Sequence, residues 1–230
     1  MLEGMQRDFD RYFKEQKVFP GFIELKDKKA KYMLSPESAG KNNIKYRLLP
    51  QQQAVLSGLI GKKEAATLYE LLNMSLKFPD GVRLMDRPAT YSGGKSKIFK
   101  RAEQASNFGR EIGLMYTHAH IRYCASLAML GRKNEAWNEL LKVNPVALKD
   151  RVTNASIRQS NVYFSSSDAD FDDRYQAQEH FDWLKNQAVP VKGGWRLYSS
   201  GPGIYVATLL DFLFLDDSPK KIDGVTIKIK

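Results

Sequence analysis

Two short stretches of this chain carry side chains suited to gripping an anion. The first is Gly193-Gly-Trp-Arg-Leu-Tyr-Ser-Ser-Gly-Pro-Gly-Ile-Tyr205, in which Ser199, Ser200 and Gly201 precede Pro202-Gly203 and an apolar run to Leu215. Proline is tolerated at a helix start, where the first amides lack intrahelical partners anyway. Serine hydroxyls, free amides and the positive end of a helix dipole would then point at one spot. A plain serine-capped helix after a tight turn reads the same residues without a ligand. The second stretch is Tyr116-Thr-His-Ala-His120. His118 and His120, two apart on a helix, project in different directions and cannot share one metal. His120 and Cys124 are four apart and could, but a third ligand is not evident, so no metal site is assigned. One reading buries such a histidine, hydrogen-bonded, in a helical core. The other makes it a donor facing an anion.

Further patterns offer weaker chemistry. Asp168, Asp170, Asp172 and Glu179 fall at calcium-loop positions, but Asp173 stands where that loop needs glycine for its sharp turn. A turn with an N-capping aspartate fits better. Lys95 to Arg110 mixes cations with Glu103 and Gln104, side chains that suit sugar hydroxyls or a solvated loop alike. No Gly-x-Ser-x-Gly elbow, phosphate-loop lysine motif or dinucleotide fingerprint is present. Cys124, amid apolar residues, reads as core.

Helices must position these groups. Apolar periodicity predicts helices from Pro50 to Ile60 and from Lys62 to Lys77, the latter burying Ala66, Leu68, Tyr69, Leu71, Leu72 and Leu76. A long helix is expected from Asn107 to Leu130, stopping at Gly131. Another follows from Lys133 to Val143, with Trp137, Leu140 and Leu141 buried and Pro145 beyond its end. Tyr175 to Asn186 and Gly203 to Leu215 complete the set. Only Val225-Thr-Ile-Lys-Ile-Lys230 alternates like a strand. The first 45 residues give mixed signals and no assigned element. Phe78–Ser106, Asn144–Asp173 and Gln187–Pro202 read as long connections, which in compact domains usually carry function. Long loops alternating with antiparallel helix pairs suggest a helical barrel whose loops meet at one end.

The whole chain narrows the classes. Its 230 residues are 43% hydrophobic and 27% charged, the composition of a globular protein. No apolar stretch reaches the roughly 18 residues that span a bilayer, so no membrane partner is expected. The polar N-terminus lacks a signal-peptide core, and the single cysteine fits a reducing, cytoplasmic setting. The charge of +10 gathers around 26–31, 41–47, 95–101 and 220–230. No stretch interleaves basic and aromatic residues as a single-strand platform would, which argues against nucleic acid.

Several ordered motifs resemble a known family. They include Ile44-Lys-Tyr-Arg-Leu-Leu-Pro50, Phe78-Pro-Asp-Gly-Val-Arg-Leu-Met-Asp-Arg-Pro88, Lys100-Arg-Ala-Glu-Gln104 and Asn107-Phe-Gly-Arg-Glu111. Tyr116-Thr-His-Ala-His120, Ile157-Arg-Gln-Ser-Asn161, Tyr163-Phe-Ser-Ser-Ser-Asp168 and Gly194-Trp-Arg-Leu-Tyr-Ser-Ser-Gly-Pro-Gly203 complete them. Spanning about residues 5 to 215, they resemble the C-terminal part of the inverting phosphorylases of glycoside hydrolase family 94, and most of all the branch acting on β-1,2-linked oligoglucans.

The resemblance implies a mainly α fold, part of an (α/α)6 six-hairpin barrel with a short C-terminal β segment. Residues 1–45 would be a mixed N-terminal segment, 46–216 the C-terminal portion of the barrel, and 217–230 a truncated β tail. It implies cleavage of a β-glucosidic bond by inorganic phosphate with inversion, giving α-glucose 1-phosphate; phosphate is a co-substrate and no cofactor is expected. Phosphate attacks directly, in place of the activated water and general base of an inverting hydrolase. His118, Ser200 and Gly201 would hold phosphate, with Ser200 standing where the family has threonine. Glu111 would accept sugar hydroxyl hydrogen bonds, and Arg158, Gln159 and Asn161 would face sugar or phosphate.

The family's general acid lies upstream of the region matched, so no residue here is given a catalytic role. The chain therefore reads as a fragment or truncated reading frame, expected to be inactive alone. The missing N-terminal part or a second copy would be its protein partner. Uncovered apolar helix faces would each forfeit roughly 1.5–3 kcal/mol per large side chain, predicting marginal stability or self-association. A non-catalytic carbohydrate-binding or structural fragment, or part of a cellobiose-type phosphorylase or cyclic β-1,2-glucan synthase domain, are the alternatives.

Overall fold

The structure is a computed structural model describing residues 2–38, 44–88, 90, 115–144, 148–156, 166–192, 200–210, 220–222 and 225–227. Helices dominate, as the sequence predicts. Among the described residues no helix is long and apolar enough to cross a membrane.

The first 45 residues, given no element from sequence, form helix α1 (Leu2–Gln16) and an antiparallel hairpin of β1 (Phe22–Lys26) and β2 (Lys29–Met33). Asp27 and Lys28 both take positive φ (50° and 61°), the twist that closes a two-residue hairpin. Phe13 of α1 packs on Phe19, whose amide and carbonyl both bond the buried Gln51 side chain. Gln51 belongs to α2 (Leu48–Leu56), which starts two residues before Pro50. The proline thus falls in the first turn, where its missing N–H costs nothing.

Helix α3 (Lys62–Leu76) buries Ala65, Leu68, Tyr69, Leu72 and Leu76. The i, i+3, i+4 stripe therefore runs through Ala65; Ala66 is exposed and Leu71 half-buried, correcting the expected face. After α3 come β3 (Lys77–Phe78) and β4 (Gly81–Val82), then β5 (Met115–Tyr116) and α4 (Thr117–Met129). Residues 107–114, the start of the helix expected from Asn107 to Leu130, lie outside the described residues. Met115 and Tyr116 within that span instead pair as a strand, and α4 follows from Thr117. Its C-terminal stop at Gly131 (φ 85°) is as predicted. Helix α5 (Lys133–Leu140) buries Ala136, Glu139 and Leu140, with Val143 in the following 3-10 turn. Trp137 lies about 100° off that stripe and is 38% exposed, and Leu141 is half-buried, against expectation.

The segments read as long loops hold further structure: α6 (Leu148–Arg151), β6 (Ala155–Ser156), β7 (Ser166–Ala169) and β8 (Val191–Lys192). Helix α7 (Arg174–Glu179) ends at His180, where a 3-10 turn, Phe181–Leu184, replaces the expected continuation. Asp173 caps α7, accepting from the Tyr175 and Gln176 amides at 2.8 Å each, as the capping-aspartate reading requires. Helix α8 (Ser200–Ala207) starts three residues before the predicted Gly203. β9 (Lys220–Ile222) pairs antiparallel with β10 (Val225–Ile227).

Helix α4 is the centre of the core. It packs against α2, α5 and α8, and Tyr123 stacks on Tyr69 of α3 at 5.5 Å. The Tyr69 and Ser126 hydroxyls bond to each other, and Tyr123 donates to Asn73 Oδ1 at 2.5 Å.

Candidate functional site

A four-stranded sheet, in the order β5-β7-β8-β6, organises the residues singled out by the sequence. β5 runs antiparallel to β7, pairing Tyr116 with Ser166. β7 runs antiparallel to β8, pairing Asp168 with Lys192, and β8 runs parallel to β6, pairing Lys192 with Ser156. These directions put the C-terminal ends of β5, β6 and β8 and the N-terminal end of β7 at one end of the sheet. Three stretches depart from that end: α4 from Tyr116, residues 157–165 from Ser156 back to Ser166, and residues 193–199 from Lys192 towards Ser200.

Tyr116, Ser156, Ser166 and Lys192, the described residues that flank these stretches, thus lie at one sheet end. Arg158, Gln159 and Asn161 belong to 157–165, and Glu111 precedes β5; all four lie outside the described residues, as do 193–199 and Lys95–Arg110. Ser200 and Gly201 open α8, Gly201 being buried. On α8, Tyr205 bonds Asn144 and lies beside Cys124, and burial pushes its phenol up. Cys124 is itself fully buried, its thiol raised well above the ordinary range by burial.

The two histidines of α4 separate by environment. His118, the second residue of the helix, is half-buried beside Tyr116, whose hydroxyl lies 3.5 Å from its Nδ1. No acidic residue occupies the first turn of α4 or of α8, and no side chain caps α4. The unneutralised first-turn amides favour negative charge at such an end. Thr117, the first residue of α4, is 2% exposed, and its hydroxyl has no hydrogen-bond partner among the described residues.

His120 takes the other reading and is fully buried. The Val82 amide donates to its Nδ1 at 3.1 Å, leaving Nε2–H to donate to the Glu139 carbonyl at 2.8 Å. That pairing fixes a neutral ring, and burial lowers its pKa. Gly81 (φ 137°) makes the approach possible, since a Cβ there would stand 3.0 Å from His120 Nδ1 and 2.7 Å from Met115 Cγ. Beneath lies a buried ion pair, Arg83 Nη1 to Asp80 Oδ1 at 2.7 Å, with the guanidinium over the Phe78 ring. Glu139 is also buried, yet Lys77 and Lys142 at 3.0 Å outweigh the upward push of burial and hold its carboxyl low.

The sequence reading missed Tyr116 as the neighbour of His118. A tyrosine two residues before a histidine was visible, but only the strand-to-helix junction brings the rings to 5.3 Å. Among the described residues no group of three His, Cys, Asp or Glu could hold a metal ion.

Aligned over its whole length, across 243 positions, the chain is 49% identical to a 1,2-beta-oligoglucan phosphorylase of Listeria innocua serovar 6a. The likeness is to a segment of that phosphorylase. The chain spans 22% of that protein's length. No protein-family model matches the chain.

Proposed function

We propose that this chain forms the phosphate-binding surface, and part of the sugar-binding surface, of an inverting β-1,2-oligoglucan phosphorylase of glycoside hydrolase family 94. The observation that carries the reading is the sheet end at which α4, residues 157–165 and residues 193–199 are anchored together. Whole-length likeness to a phosphorylase supplies the reaction class.

In this reading His118 donates to a phosphate oxygen, and the Ser200 hydroxyl and Gly201 amide complete the cradle. The helix N-termini add fixed positive potential that costs no reorganisation as charge shifts during attack. Glu111 accepts from glucosyl hydroxyls, and Arg158, Gln159 and Asn161 line the same opening. Phosphate displaces the leaving sugar from the opposite face, and a carboxylic acid protonates the departing oxygen. No residue of this chain is assigned that acid role.

The helices fit an (α/α)6 barrel, in which successive helices pair as α4 pairs with α5. Neighbouring hairpins would cover Val206 of α8 and Leu210 just beyond it, which are 49% and 40% exposed.

Phosphate titration of the chain, followed by calorimetry and phosphorus NMR, tests the assignment. His118→Ala should weaken binding about tenfold or more, the loss of one charge-assisted hydrogen bond. Unchanged affinity removes His118 from the site.

A further inference from the structure

A separate cleft of about 210 Å³ opens between the loop after β4 and the α7 turn, lined by Arg87, Pro88, Thr90, Gln178, Glu179, Phe181 and Asp182. It is smaller than the roughly 300 Å³ at which pockets for drug-sized ligands begin, and suits one ring-sized occupant. Buried Pro88 and Phe181 lie among more exposed polar residues: Arg87 is half-buried, while Thr90, Gln178, Glu179 and Asp182 are exposed. Spacings of three in a tight turn bring side chains into register, which sets Gln178 with Phe181 and Glu179 with Asp182. The opposite wall is fixed by Asp86, whose Oδ1 accepts from the Lys45 and Tyr46 amides at 2.9 and 3.0 Å.

The charges here select against a free anion. Two carboxylates line the cleft against one guanidinium. Arg87 pairs with Asp86 at 3.7 Å, and nearby Lys185 pairs with Asp182 at 3.8 Å. Carboxylates and an amide at a mostly polar opening instead match a neutral polyol, whose hydroxyls donate to the carboxylates.

We propose that this cleft is a second carbohydrate subsite, taking one neutral glucosyl unit of a β-glucan chain. The proposal rests on the oligoglucan reading above and adds residues outside the sheet end.

Trp183 supplies a reporter. It stacks on His180 at 4.0 Å and is 41% exposed, on the turn's remaining face. Sophorose and sophorotetraose are titrated into the 230-residue chain, followed by calorimetry and tryptophan emission, with phosphate titrated in parallel. The expected result is sugar binding weakened about tenfold in the isosteric Glu179→Gln/Asp182→Asn variant, from the loss of charge-assisted acceptors, with phosphate affinity unchanged. Asp182 is 79% exposed in its side chain, so Asp182→Asn alone repeats the test without threatening the fold. Sugar affinity equal in parent and both variants overturns the subsite. Phosphate binding through His118 with no sugar binding overturns the subsite and leaves the phosphate reading standing. Phosphate binding indifferent to His118→Ala removes the phosphate assignment while the carboxylate variants still judge the cleft.

Discussion

His118 and His120 share a helical turn yet belong to opposite kinds of surroundings. Around His120 both ring nitrogens are satisfied: Val82 donates to one and the Glu139 carbonyl accepts from the other. The Asp80–Arg83 ion pair lies nearby, although Asp80 Oδ2 and Arg83 Nε have no hydrogen-bond partner among the described residues. His118 is placed differently. It is half-buried, touches Tyr116 at the long end of hydrogen-bond distance, and follows a threonine hydroxyl without a partner among the described residues. A buried polar atom left unpaired costs about 1–3 kcal/mol, so the first arrangement serves stability. The second leaves the His118 ring with one long contact, to Tyr116, among the described residues. Residue type alone does not divide them; the neighbour delivered by β4 to one and by β5 to the other does.

The contrast can be broken most forcefully from the closed side. Asp80→Ala strands the Arg83 guanidinium, which is 1% exposed, and should cost about 3–5 kcal/mol in urea unfolding. A loss near zero would mean that the pair is no part of a closed interior. His120→Ala should follow at about 2–4 kcal/mol, from a small cavity and two orphaned backbone groups.

The same residue sets a pH dependence. Its folded pKa lies below the unfolded value of about 6.5, so the unfolded chain binds the extra proton. The stability from neutral His120 is present above that value and is lost as pH falls through the folded pKa. Glu139, also depressed, contributes stability that fades at lower pH, below its ordinary 4.5. Urea midpoints measured down from pH 7 should decline first through His120, and His120→Gln should remove that first decline. Asp173→Ala, which strips an exposed helix cap, gives an intermediate yardstick of about 1 kcal/mol. Smallest of all should be His118→Ala, within about 0.5 kcal/mol. A large unfolding effect there would place His118 with the structural residues and erase the comparison.

Much of this was legible in the sequence, and the misses have physical causes. Helices α3 and α5 were found because long runs repeat apolar residues at 3.6 spacing. Their buried faces were misjudged by one residue, where Ala65 rather than Ala66 and Ala136 rather than Trp137 point inward. Bulk is a poor guide to the stripe when a small residue makes the close helix contact. Asp173 was read as a cap because that chemistry is local. The sheet was invisible because β5, β6 and β8 are two residues each, too short for any alternation. Their pairing is set by partners about twenty to fifty residues away, which no local pattern encodes. The candidate residues could be named before the sheet was known, but not the sheet end from which α4 departs. The cleft at Arg87, Glu179 and Asp182 gave no signal, since its walls are remote in sequence and its residues are ordinary surface types.

The brevity of those strands has a dynamic corollary. Regions with few ladder bonds open at lower free energy than helices packed on a core. Amide exchange should therefore be faster at Met115, Ser156 and Val191 than along the buried face of α4. The short strands would then open and reclose while the helical interior built on α4 stays shut.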